Sequence, residues 1–287
     1  MRLIVYAFHW VSRQSVDVLL PFKNIALKIG EKRAYLLLVI AVALFISGLG
    51  RFMIFLSGFL HPHFGLMVLL YFTGTTFTMR YFGDTAYGIF ERLGQNNLAV
   101  AQKELSETIG CNTEGMNASE MVRATVLMVA GNSVYGIVAP MMYLFVGGVH
   151  LAMAYQAIHT LHVILGQKKE WGWGARLYDG LNFIPARITA ILIVLCATCL
   201  WGTGSKAFRI FLRNGFQYHS PSGQLEGVVM AGAIGMTLRA PFIDVDVLPL
   251  FPLHDEKIDE AQPHHIMDAI KAMGVVACVM LIICMMI

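Results

Sequence analysis

Between Arg123 and Lys168 the sequence reads RATVLMVAGNSVYGIVAPMMYLFVGGVHLAMAYQAIHTLHVILGQK, and its 44 interior positions carry no Asp, Glu, Lys or Arg. That is about twice the length of one crossing of a bilayer, which takes ~20 residues. The run is not plain hydrocarbon, because Asn132, Ser133, Gln156, His159, Thr160 and His162 are set along it. Each such group costs free energy in lipid unless a partner satisfies it, so these side chains are expected to face protein or a cavity. Pro140 and the Gly147-Gly148 pair are predicted to divide the run into at least two helical pieces.

The rest of the composition agrees. Of 287 residues, 57% are hydrophobic and only 14% charged, where a soluble domain carries about a quarter charged; the mean hydropathy is +0.64. The expected fold is all-α: a polytopic integral membrane protein with about four to five transmembrane helices and additional amphipathic surface helices. A net charge of +3, dispersed along the chain, excludes a nucleic-acid partner. Five cysteines, four of them in apolar runs, read as packing residues, including the Cys196/Cys199 pair. The Asn117-Ala-Ser119 sequon carries no weight, and the short apolar patch after Met1 lacks a small-residue cleavage site.

In chain order, residues 1–33 form an amphipathic N-terminal segment whose Arg13, Lys23, Lys28, Lys32 and Arg33 gather before the first apolar run. Residues 34–287 are expected to form a single membrane domain. Ala34–Gly50 makes a first span that can continue past Arg51 to Leu60; His61-Pro62-His63 breaks it, and Phe64–Met79 is read as a short second span. Arg80–Arg123 holds charged surface helices, with a turn at Asn112–Gly115. After an interfacial stretch with Trp171 and Trp173 come an apolar helix over Phe183–Trp201, a basic amphipathic stretch from Lys206, a polar loop over Tyr218–Gly227, a small-residue helix from Val228 and a last span ending at Ile287.

Eight separated motifs then fall in order: G-x-x-T at Gly110–Thr113, Arg123-Ala124, V-A-x-N-x-x-x-G-I-V-A-P at Val129–Pro140, and G-G-x-x-L-A-M-A-Y at Gly147–Tyr155. Thr160-Leu161, A-R-x-x-D-x-x-N-x-I-P-A-R at Ala175–Arg187, Ser220-Pro221 and E-x-x-x-x-A-G-A-x-G at Glu226–Gly235 follow. In this the chain resembles the adenosylcobinamide-phosphate synthase (CobD/CbiB) family of cobalamin biosynthesis, most strongly over residues 87–240. The resemblance implies a multi-pass protein of the bacterial cytoplasmic membrane and, if the family activity is retained, ATP-dependent amide ligation of an aminoalcohol phosphate to adenosylcobyric acid with Mg²⁺.

That chemistry needs carboxylates for the metal and cations for phosphate, and here the chain departs from the family. Leu127, Gly131 and Tyr135 stand at acidic positions of the family's V-E-x-V-A-E-N-x-x-D-G. His159 and His162 replace the ends of N-T-L-D, Cys111 and Asn112 the middle of G-R-D-T, and Tyr178 the first Asp of a D-D pair. The N-terminal G-D-P signature is also missing. Scaffold glycines and prolines are kept while the acids are gone, a loss that also resembles the AmpE-type branch.

The candidate binding cavity comprises Thr113, Arg123, Asn132, Asp179, Asn182, Arg187, Ser220 and Glu226, with Asn132, Asp179, Asn182 and Arg187 expected to converge; against this, Asp179 and Arg187 could simply pair and cap their helix. His159 and His162, three apart on one helix face, have ligand-competent spacing. With no Cys or acid beside them, they are read as hydrogen-bonded packing residues rather than metal ligands. No catalytic residue is assigned. Three functions follow: a synthase-like protein degenerate at the ligase site that binds a corrinoid, a nucleotide or a partner protein in an accessory or regulatory role; an active ligase; or a structural subunit of a larger membrane complex.

Overall fold

The computed structural model describes residues 31–75, 78–110, 112–165, 172–214, 225–236 and 261–286. The N-terminal segment up to residue 30, Cys111, Trp171, Ser220, Pro221 and residues 237–260 lie outside them. The protein is all-α. Its helices are α1 (Glu31–Leu60), α2 (Pro62–Thr75), α3 (Met79–Gly94), α4 (Leu98–Ile109), α5 (Ala118–Ser133), a π-helical turn (Val134–Val138), α6 (Ala139–Leu165), α7 (Gly172–Trp201), α8 (Gly204–Asn214), α9 (Leu225–Ile234) and α10 (His264–Met286).

Four stretches are long and apolar enough to cross a bilayer: Leu36–Phe59, Ala118–Val163, Arg176–Trp201 and His264–Met286. The short second span expected at Phe64–Met79 is instead α2, whose 14 residues reach only about 21 Å. The 46-residue run from Ala118 is interrupted twice. One break is at the two glycines, where Gly147 (φ −136°, ψ 17°) and Gly148 (φ 69°, ψ −170°) leave helical geometry; a left-handed φ there suits a residue without Cβ. Pro140 follows the π turn directly and has no N–H for the Gly136 carbonyl four residues back, which takes the Thr78 N–H instead at 3.4 Å. The second break is the π turn, which ends two residues before Pro140.

The chain groups into two compact units. One combines Thr73–Val146 with Leu181–Ile287, the other Met1–Phe72 with Gly147–Gly180. In the first, α5 is central: α3, α4, α9 and α10 all pack on it, burying Met121, Val122, Val126, Val129 and Ala130 against Ile89, Leu105, Val229, Met273 and Val276. The start of α5 is fixed by a capping box, with Asn117 accepting from the Glu120 N–H and Glu120 from the Asn117 N–H, both at 2.9 Å. In the second unit, α1 and α2 meet through facing glycines: a Cβ on Gly65 would stand 2.8 Å from the Gly58 Cα. Leu44, Phe45, Phe55 and Phe59 of α1 are exposed, as lipid-facing side chains are.

Candidate functional site

Helix α7 carries Pro185 in its interior. Proline lacks the N–H that would bond the carbonyl four residues back, which here belongs to Leu181. The Tyr143 hydroxyl supplies the missing donor, 2.8 Å from that carbonyl oxygen. This restores backbone satisfaction at membrane depth, where an open carbonyl is costly, and fixes the register of the Asn182-Phe183-Ile184-Pro185-Ala186-Arg187 segment. Asn182 is fully buried. Arg187 lies half-buried, with Nη1 donating to the Phe183 carbonyl at 2.9 Å and its guanidinium 3.4 Å above the Phe183 ring.

On α5, the half-buried Asn132 spends an amide proton on its own helix, Nδ2 donating to the Met128 carbonyl at 2.8 Å. One position earlier, Gly131 is covered by an aromatic ring: a Cβ built there would lie 3.5 Å from Tyr135 Cε2. Tyr135 belongs to the π turn, a local widening of the helix common where it is adapted to a site. Gly136 then lets the chain before α3 approach, the Thr78 N–H donating to the Gly136 carbonyl at 3.4 Å. Leu127 occupies the remaining family-acid position of this helix, and its Cδ2 lies so near Gly227 of α9 that a Cβ there would come within 2.5 Å.

Thr113 is buried, but its hydroxyl is engaged: Oγ1 donates to the Gln102 carbonyl at 2.6 Å while Gln102 Nε2 donates to the Met116 carbonyl at 2.8 Å. The pair pins the loop between α4 and α5, so Thr113 acts in the scaffold. Arg123 is half-buried on the first turns of α5.

Glu226 differs from all of these. It sits in the first turn of α9, fully buried, and among the described residues neither carboxyl oxygen meets a hydrogen-bond partner. Burial pushes its carboxyl up from the ordinary 4.5 to about 8. Thr113, Arg123, Asn132, Asn182, Arg187 and Glu226 all belong to the Thr73–Val146/Leu181–Ile287 unit, whereas the half-buried Asp179 belongs to the other. Ser220 lies outside the described residues.

The Gly147–Gly180 stretch holds a second group. His159 Nδ1 is 2.8 Å from the Tyr178 hydroxyl, and the His162 ring stacks on Tyr178 with centroids 3.9 Å apart and planes 15° from parallel. Tyr155 lies near-parallel to His159, with centroids 6.4 Å apart. The expectation that both histidines are hydrogen-bonded is met at His159; His162 is buried by stacking, and among the described residues neither of its ring nitrogens has a partner. Among the described residues no three His, Cys, Asp or Glu side chains come together as a metal site. Sequence reasoning treated Tyr178 only as a missing acid. The cue it passed over was Tyr155, on the same face of α6 as His159 at a spacing of four.

Comparison with known proteins agrees with the motif order. Over 187 residues the chain is 35% identical to the cobalamin biosynthesis protein CbiB of Salmonella typhi and 33% identical to CobD of Geobacter metallireducens, covering 63% of this chain and 59% of each relative. The CobD of Klebsiella pneumoniae is 34% identical over the same share. The chain thus spans less than two thirds of the length of these relatives. No solved structure matches it. The family model for CobD/CbiB proteins matches residues 7–273, nearly the whole chain, and includes both the capped α5 with its glycine-tyrosine pair and the Pro185 segment held by Tyr143; the chain therefore belongs to the CobD/CbiB protein family.

Proposed function

We propose that this protein serves cobalamin biosynthesis in the bacterial cytoplasmic membrane as a corrinoid-binding accessory protein and does not carry out the ATP-dependent amide ligation that the family resemblance implies. One observation carries the reading: at two places, Gly131 with Tyr135 and His162 with Tyr178, residues standing where that family has acids pack against one another. Tyr135 covers Gly131, so a large and a small residue have exchanged volume, and His159, His162 and Tyr178 form one stacked group. Replacements that contact each other describe a rebuilt interior rather than an eroded one. What remains is neutral and aromatic, suited to broad apolar and amide surface rather than to Mg²⁺ and phosphate.

A second reading, an active ligase with relocated metal ligands, draws on the unpartnered Glu226 carboxyl and the retained Asp179 and Arg187. The two readings separate in a titration of cobyric acid into the purified full-length protein in nanodiscs, followed by the corrinoid absorbance. Saturable binding that Mg²⁺ and ATP leave unchanged supports the accessory role. Absence of corrinoid binding, or binding that requires Mg²⁺ and ATP, contradicts it.

A further inference from the structure

Helix α7 ends abruptly. Gly202 turns left-handed at φ 68°, as a glycine just past a helix end does, and the Thr203 N–H reaches back to the Ala197 carbonyl at 3.2 Å. Helix α8 begins two residues later at Gly204, and the Thr203 hydroxyl donates to the Ala233 carbonyl at 2.6 Å, tying this turn to the end of α9. Because the bilayer-length stretch of α7 runs to Trp201, an aromatic suited to the membrane–water boundary, α8 is placed at that boundary by covalent connection alone.

The sequence of α8, GSKAFRIFLRN, has three cations and no acid. Around its axis it presents three faces. Ala207, Ile210 and Phe211 are buried in the core, with Ile210 against Gly232 of α9. Phe208 and Leu212, one turn apart, are 48% and 49% exposed. Arg209 and Arg213, also one turn apart, are exposed beside them, and Lys206 lies on the same flank at helical spacing. Neither Arg209 nor Arg213 is held in an ion pair among the described residues. Exposed apolar side chains flanked by a row of cations form the pattern of a helix lying in the plane of a membrane surface.

We propose that α8 is an interfacial lipid-binding helix, with Phe208 and Leu212 entering the acyl boundary and Arg209 and Arg213 binding the headgroups of anionic phospholipids. The charge selects the partner: a row of arginines with no ion-pair partner among the described residues attracts phosphate diesters bearing net negative charge over zwitterionic headgroups.

The test uses the full-length protein in nanodiscs of mixed phosphatidylcholine and phosphatidylglycerol, with retained lipids counted by native mass spectrometry after release. The wild type should retain phosphatidylglycerol over phosphatidylcholine, and added salt should weaken that preference. R209Q/R213Q should lower the ratio on the order of tenfold, while R209K/R213K, which keeps the charge, should stay within about twofold of wild type. An unchanged ratio in R209Q/R213Q overturns the proposal, as does a wild-type preference insensitive to salt, which needs no variant to read. Equal loss in the lysine variant overturns it too. A stable dimer in detergent that F208Q/L212Q dissociates would assign the face to a second copy of the chain and also overturn it.

Discussion

The hydroxyl of Tyr143 caps the carbonyl of Leu181, the carbonyl that Pro185 leaves without its helical donor. Phe at position 143 removes that donor with almost no change in shape and leaves a carbonyl unsatisfied at membrane depth, a loss of about 1–3 kcal/mol. In a P185A background, residue 185 has its own N–H to give, so Y143F should then cost less than about 1 kcal/mol. Unfolding of the four proteins of this cycle in detergent measures the difference; equal costs in both backgrounds would show that the hydroxyl does not replace the missing bond.

Gly131 and Tyr135 should be coupled in the same sense. G131E, which puts back an acid at that position, drives a side chain into the space of the Tyr135 ring and should destabilise by about 1–3 kcal/mol. Adding Y135D empties that space, so the double variant should be less damaged than the sum of the singles by about 1 kcal/mol or more. G131A is the control: its Cβ meets the ring at 3.5 Å, an ordinary contact, and it should be near neutral. Strict additivity of G131E and Y135D would contradict the packing exchange.

Much of this architecture was legible in the sequence, for identifiable reasons. The uncharged run marked the membrane core, the two glycines marked its break because only a residue without Cβ tolerates the φ of Gly148, and His61-Pro62 marked the end of α1. The turn at Asn112–Gly115 was readable from its Asx chemistry, Asn112 Oδ1 accepting from the Glu114 N–H at 2.9 Å. The sequence marked Pro140 but not the π turn just before it, because a helix and a π turn have the same local propensities. For the candidate residues, sequence gave identity without engagement. Thr113 and Asn132 turned out to use their polar groups on nearby backbone, and Glu226, one of eight candidates by motif, stood apart only once its burial and lack of partners were seen.

Glu226 makes stability depend on pH. Its carboxyl is raised in the folded protein to about 8 from 4.5, so the folded state holds a proton that the unfolded chain releases. The contribution is fully present below about pH 4.5 and is lost as pH rises through about 8, a total on the order of a few kcal/mol. Thermal unfolding in detergent should therefore move to lower temperature between pH 5 and 8, and E226Q, which cannot ionise, should flatten that slope and exceed the wild type at the alkaline end. A wild-type slope that E226Q leaves intact would place the titration elsewhere.

The central claim is that the protein lacks the family's ligase activity, and complementation tests it most directly. A Salmonella strain deleted for its CbiB relative, grown where the complete corrinoid is required, receives this chain or the Salmonella protein on the same plasmid, with membrane levels matched by immunoblot. The account predicts growth with the Salmonella protein and none with this chain. Growth supported by this chain, and lost when Asp179 or Glu226 is replaced by its amide, would contradict it.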